Sequence, residues 1–206
     1  MPRTAAILAL LSALLLAGCD VEQGSLERAR MSFNVANPTP ESFHVCGDIG
    51  CANRVAVSLT PREWREVRAP FARRPRTPGD ERRALAEALR RVELIVGRKT
   101  GYDTDEAYSA LQLSGNSQDC VDEMVNAAVY LALLDDAGLM RFHRQGQRVT
   151  IGLMTRRFWT HTVSSIFQKD TGQEFIIDTW AVKVGETPIV MDRHDWAANE
   201  PFRHDF

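Results

Sequence analysis

Apolar residues recur at three- and four-residue spacing in two long segments of this chain, which predicts two long α-helices. The first starts at Asp80 and reaches Gly97, a glycine that is placed to end it. The second covers 119–137, is apolar on nearly all sides and is followed by Gly138, which suits a C-terminal cap. A helix without a polar face belongs in the interior, so we expect this segment to be a central, buried helix.

Shorter elements are predicted on either side of these helices. Thr60, Pro61 and Glu63 have the pattern of a capped helix start, which predicts a helix through about Ala69. Alternating apolar and polar residues predict paired strands within 43–59 and further strands after the second long helix. Helices followed by strands predict the α+β class, with the central helix packed on an antiparallel sheet. The later strands are predicted over Leu139–His143, Arg148–Met154, Thr160–Phe167 and Glu174–Trp180.

The N-terminal segment, residues 1–18, has the form of a secretory signal, because a basic residue precedes an apolar stretch that is too short to span a bilayer. Its last residues, Leu16-Ala17-Gly18, together with Cys19 resemble a bacterial lipobox, which implies cleavage before Cys19 and attachment of lipid to it. The alternative is an ordinary signal peptide that happens to contain a cysteine. Asp20 resembles a signal for retention in the inner membrane. We therefore expect a lipid-anchored protein that faces the periplasm from the inner membrane.

Charge and composition divide the chain further. The mostly polar residues 19–42 are expected to be a lipidated tether, and residues 43–206 a single domain. With 25 Lys and Arg against 27 Asp and Glu, the formal charge of −2 gives no indication of a nucleic-acid partner. Arginines are frequent from Arg62 to Arg91, where they are expected to form the solvated faces of two helices. Attraction to anionic lipid headgroups is the alternative.

The cysteines support an oxidising compartment. Cys46 and Cys51 flank a short glycine-containing loop that can close as a disulfide. A zinc site that adds His44 is the alternative, but a fourth ligand is not evident, and no metal is expected. Cys120 is then left without a partner, and an unpaired cysteine in a secreted protein is explained either by burial or by reactivity.

Cys120, His161 and Asp178 follow one another in the order of a thiol nucleophile, its general base and the residue that orients the base. Cys120 lies at the first turn of the central helix, where unpaired backbone N–H groups and the helix dipole favour the thiolate. A four-residue turn over 169–172 places Val163 opposite Asp178 in a hairpin. His161 and Asp178 then share a face as diagonal neighbours, within reach of a hydrogen bond.

The other polar residues near this set are less clearly assigned. An oxyanion hole could use the backbone N–H of Cys120 with the side chain of Gln118 or Asn116, and the sequence does not choose between them. The histidines at 143, 194 and 204 lack a comparable arrangement and are not assigned to the site.

Three pieces of the chain resemble the bacterial transglutaminase-like cysteine peptidases, which have a papain-like core. The matching pieces are Gln118-Asp119-Cys120 before the apolar helix, Thr160-His161-Thr162-Val163, and Ile176-Ile177-Asp178-Thr179-Trp180. The resemblance implies that Cys120 is the nucleophile, His161 the base and Asp178 the orienting residue. Some members bind calcium through an Asp-Cys-Glu sequence, whereas here Val121 follows the cysteine and the acids are displaced to Asp122 and Glu123. No cofactor is required, and calcium stays an open alternative.

The sequence thus predicts a membrane-anchored periplasmic enzyme that cleaves a peptide or transfers an amide acyl group through a thioester on Cys120. Its partners would be a peptide or protein substrate in the cell envelope and, through the lipid anchor, the membrane. The alternative is a catalytically inactive envelope lipoprotein that binds a peptide or protein partner in the same cleft, since a fold does not establish an activity.

Overall fold

The structure, a computed structural model, describes residues 25–35, 37–109, 117–152 and 160–198, and within those ranges it is an α+β protein of five α-helices and seven strands. None of these helices has the length and apolar character needed to cross a lipid bilayer. The helices are α1 Ser25–Ser32, α2 Pro61–Arg68, α3 Pro78–Thr100, α4 Cys120–Asp136 and α5 Arg193–Ala198. The strands are β1 Phe43–Gly47, β2 Asn53–Val57, β3 His143–Gln145, β4 Val149–Ile151, β5 His161–Gln168, β6 Glu174–Asp178 and β7 Ile189–Asp192.

Helix α4 is the centre of the fold, as the sequence predicts. Every residue from Asp122 to Leu134 is buried. The helix packs against β5 of the sheet and β1 of the N-terminal hairpin, and α1 and α3 also contact it. Gly138 has a φ of +70°, and the backbone N–H of Leu139 donates to the Leu134 carbonyl, so the helix ends where the glycine predicts.

The antiparallel sheet has the order β3-β5-β6-β7, and β4 also pairs with β5. In the β5–β6 hairpin Ser164 is opposite Ile177, and the backbone N–H of Gln168 donates to the carbonyl of Gln173. The observed pairing confirms the register that was predicted from a four-residue turn over 169–172. Because register decides which side chains share a face, it also fixes the relative placement of residues 161 and 178.

The start of α2 is as predicted, whereas α3 starts at Pro78, two residues before the predicted Asp80, and ends later than predicted. Thr60 and Glu63 form a capping box at α2, and Thr77 and Asp80 form another at α3. The prediction that Gly97 ends the long helix is wrong, because α3 continues to Thr100 and is terminated by Gly101 with a φ of +87°. Gly97 instead allows a close approach, since a Cβ there would lie 3.0 Å from the Cα of Asp103.

Three terminal or short elements differ from the sequence reading. The expected polar tether contains α1, whose Leu26 and Ala29 are buried against the core, because a short amphipathic helix can hide within a polar composition. The strand predicted from Leu139 begins only at His143. Strand β7 and helix α5 follow Trp180, the end of the last element predicted from the sequence.

Candidate active site

His161 and Asp178 form a hydrogen-bonded pair in the interior. Nε2 of His161 lies 2.9 Å from Oδ2 of Asp178, and both side chains are buried. The same carboxylate accepts from Nε1 of Trp196 at 3.1 Å and from the backbone N–H of Ala181 at 3.2 Å. A carboxylate that accepts from Nε2–H selects the tautomer in which Nδ1 is the basic nitrogen, as a general base requires.

Two tryptophans enclose the imidazole of His161. The ring centroid of Trp180 lies 5.0 Å away and that of Trp196 5.6 Å away. Tyr108 packs edge-on against Trp180 at 5.3 Å. Trp196, on α5, was missed by the sequence analysis, and the only signal for it was a single large apolar residue in an otherwise polar segment. These rings shield the His161–Asp178 hydrogen bond from water, which strengthens it.

Cys120, the first residue of α4, is a free, half-buried thiol that lies against the strand carrying His161. Its Sγ lies 3.8 Å from the carbonyl oxygen of Thr160 and accepts a hydrogen bond from the backbone N–H of Thr162. One turn further on, the hydroxyl of Ser164 donates to the carbonyl of Met124 at 2.8 Å, which ties α4 to β5. The sulfur therefore faces the sheet, beside the backbone on both sides of His161.

The pKa of the Cys120 thiol is shifted in the direction opposite to the one expected from its helix position. Burial raises it to about 11; the hydrogen bond from Thr162 opposes this shift, and the negative charges of Asp119 and Asp178 add to it. Two N–H groups at the helix N-terminus, those of Val121 and Asp122, do little to lower the thiol pKa because Oδ1 of Asp119 already accepts from both. With such a pKa only about one thiol in ten thousand is ionised at pH 7, so chemistry on this sulfur requires a base.

A loop from the N-terminal hairpin holds the start of α4. The carboxylate of Asp122 accepts from the backbone N–H groups of Asp119, Ile49 and Cys51, and that of Asp119 accepts from Gly50. All four residues from 48 to 51 have left-handed φ values between 60° and 67°. This conformation is unfavourable for a β-branched residue such as Ile49, so the carboxylate contacts help to maintain it.

The cysteines of this loop lie as predicted for a disulfide. The sulfurs of Cys46 and Cys51 are at bonding distance, with Cα atoms 4.5 Å apart. His44, the proposed third zinc ligand, has an exposed side chain, and the acidic group that approaches the two sulfurs is Asp122. Asp122 is fully buried, and its pKa is raised to about 7 by burial and by the charge of Asp119. Both of its carboxylate oxygens accept hydrogen bonds from the loop, at the backbone N–H groups of Ile49 and Cys51.

Of the two side chains suggested for an oxyanion hole, only Gln118 lies within the described residues; Asn116 lies outside them. Nε2 of Gln118 donates to the carbonyl of Cys46 at 2.7 Å, and the Gln118 backbone is held by Asp105 and Ser109. This amide is thus engaged with strand β1. Cys19 and the signal segment 1–18 also lie outside the described residues.

Two buried glutamates, Glu123 and Glu93, line one small cavity in the interior. Glu123, three residues after Cys120, accepts a hydrogen bond from Thr179, the neighbour of Asp178. Burial raises its pKa to about 8, and nearby carboxylates, including Asp178, add to this shift. Glu93 lines the same cavity of about 10 Å³, a volume of the size of one water molecule, and burial also raises its pKa. The protonated forms of both acids are therefore favoured in the folded protein.

Replacing Glu123 with glutamine is expected to stabilise the protein selectively at high pH. A carboxyl group whose folded pKa is raised from 4.5 to about 8 contributes stability that is complete below about pH 4.5 and is lost as the pH rises through 8. The neutral amide avoids this loss, so Glu123→Gln should be more stable than the parent by on the order of 2 to 4 kcal/mol near pH 8 and similar near pH 4. Urea unfolding at several pH values measures this. Glu66→Gln, an exposed change, is the control, and parallel pH curves for parent and Glu123→Gln would contradict the prediction.

Comparison of this chain with protein-family models, with curated proteins and with solved structures found no match. The arrangement of Cys120, His161 and Asp178 therefore has to be judged on its own geometry.

Proposed function

We propose that this protein is a thiol-dependent peptidase or amide acyl-transfer enzyme with a transglutaminase-like, papain-like core, in which Cys120 is the nucleophile, His161 the base and Asp178 the orienting residue. The observation that carries the proposal is the buried Nε2–Oδ2 hydrogen bond, 2.9 Å long, on a strand whose backbone contacts the Cys120 sulfur. The combination supplies an oriented base next to a free thiol.

The raised pKa of Cys120 determines the order of events in this proposal. The thiol is protonated at rest, so Nδ1 of His161 takes its proton as the sulfur attacks the substrate carbonyl carbon. The resulting imidazolium is stabilised by Asp178 and returns the proton to the leaving amine, which leaves a thioester on Cys120. Water or a second amine then attacks the thioester, releases the acyl group and restores the thiol.

The location that goes with this proposal follows from the N-terminal sequence. A lipid on Cys19 would hold the domain at a membrane surface, facing the periplasm, where its substrates would be peptides or proteins of the cell envelope. No cofactor takes part in the proposed steps.

A second candidate is a catalytically inactive envelope lipoprotein that binds a peptide or protein partner in the same cleft. The observation that favours it is the thiol pKa of about 11, which an isolated buried cysteine would share.

The rate of alkylation of Cys120 by iodoacetamide distinguishes the two candidates. If His161 removes the thiol proton, alkylation at pH 7 should be faster than a pKa near 11 allows, and His161→Ala should slow it by roughly 100-fold. His194→Ala, which removes an exposed histidine on α5, is the matched control and should leave the rate unchanged. Cys120→Ser identifies the labelled residue. Equal, slow labelling of the parent and His161→Ala would favour the binding protein instead.

A further inference from the structure

Among the residues that the structure describes, one surface outside the candidate site is strongly basic. It consists of α2, the short 3₁₀ turn Ala69–Phe71 and the following residues 72–76, which together we call the arginine face. It holds six exposed arginines against two glutamates, although the whole chain has a formal charge of −2. The six are Arg62, Arg65, Arg68, Arg73, Arg74 and Arg76.

The positive charge of this face is not cancelled locally. Within the described ranges none of the six guanidinium groups makes a salt bridge with a carboxylate. Glu63 is used elsewhere, since it pairs with Lys99 at 2.9 Å and accepts from the backbone N–H of Thr60. With the two glutamates counted, this short stretch has a formal charge of +4, which produces a local positive potential that attracts an anionic partner.

Two half-exposed aromatic residues accompany the arginines. Trp64 and Phe71 pack partly against the core and remain partly open to solvent. The guanidinium of Arg68 lies 5.4 Å above the Trp64 ring. Basic side chains beside a tryptophan are typical of surfaces that lie at the headgroup level of a membrane, where each arginine contributes about 1 kcal/mol of attraction to anionic lipid.

We infer that the arginine face docks the domain on an anionic lipid surface. The proposed lipid anchor supplies the reason for choosing a membrane over another polyanion. Five residues separate Cys19 from Ser25, the first residue of α1, so an anchored domain would start within roughly 20 Å of the bilayer. The vesicle test below does not use the anchor, so its failure is separable from failure of the proposed anchor or of the proposed chemistry.

The test uses the chain expected after signal cleavage, residues 19–206 with Cys19→Ser, which carries neither the apolar signal segment nor a lipid, in co-sedimentation with vesicles of phosphatidylcholine alone or mixed with phosphatidylglycerol. Binding is expected only to the mixed vesicles and should weaken steeply as salt rises. The double variant Arg73→Gln, Arg74→Gln should lower the partition coefficient by roughly tenfold or more. The control Arg28→Gln, Arg141→Gln removes the same charge from two exposed arginines, one on α1 and one in the loop before β3, and should change binding little.

Equal binding to neutral vesicles, an equal loss in the control pair, or binding to RNA with none to vesicles would each overturn the inference. Thermal unfolding of each variant, followed by circular dichroism, confirms that a loss of binding is not a loss of fold.

Discussion

Replacing Glu81 with alanine is expected to lower the free energy of unfolding by roughly 4 kcal/mol, one of the two largest effects we predict. The side chain is fully buried, and its carboxylate accepts from the backbone N–H groups of Arg141, Phe142 and His143 at 2.9 to 3.0 Å. It also binds Nδ1 of His143 at 2.9 Å. Alanine leaves all of these donors without an acceptor, and because the two donors on His143 are buried, this costs far more than losing one exposed contact.

This carboxylate joins the first turn of α3 to the start of β3. The other ring nitrogen of His143 lies 3.3 Å from Arg82, which also donates to Gln168. Both ring nitrogens of the imidazole are therefore engaged, and the side chain is buried, so His143 has a structural role. That agrees with its omission from the site in the sequence analysis.

The effect of Glu81→Ala should depend on pH. Hydrogen bonds from His143 and from the backbone outweigh burial and hold the pKa of Glu81 below its usual value. Its contribution is therefore present above about pH 4.5 and is lost as the pH falls through the lower folded pKa, so the difference from the parent should shrink in acid. Urea unfolding at neutral and acidic pH measures both effects. Glu87→Ala, which removes a surface acid of α3 paired with Arg90 and Arg91, should cost no more than about 1 kcal/mol, and an equal cost would contradict the prediction.

Glu81 shows why part of the fold was not predictable from the sequence. It lies in an arginine-rich helix start, where an acid next to Arg82 and Arg83 has the same local pattern whether it is solvated or buried. Only the long-range return of the chain at residues 141–143 makes it an interior group. Gly97 shows a more local limit, because its role depends on how the chain turns back after the helix and brings Asp103, six residues later, against it.

The elements that were predicted correctly depend on local rules. The turn over 169–172 fixes the hairpin register by counting, and the apolar run fixes α4 as a buried helix. These two features place the sulfur of Cys120, on α4, against β5, the strand that carries His161. The direction of the thiol pKa was not predicted correctly, because the helix-dipole rule ignores burial, which raises the pKa most. It also ignores that Asp119 caps the N–H groups of Val121 and Asp122 and brings a negative charge.

Asp178→Asn is expected to give opposite results for an enzyme and for a binding protein. The Asp178 charge helps to raise the pKa of Cys120, so removing it should lower that pKa below about 11 in either case. In a binding protein the only consequence is a larger thiolate fraction, and alkylation at pH 7 should become faster.

In the proposed enzyme the second consequence dominates. An asparagine amide that donates to Nε2 of His161 favours the tautomer with the proton on Nδ1, which can no longer accept the thiol proton. Alkylation of Cys120 at pH 7 should then fall by roughly 100-fold, although the midpoint of its pH profile moves down. Asp170→Asn, an exposed change in the β5–β6 turn, should alter neither quantity. Because burial of Asp178 makes some loss of stability certain, the rates are compared where urea titration shows each variant to be folded. Faster labelling of Asp178→Asn at pH 7 would contradict the role of His161 as a base and leave Cys120 as a buried thiol.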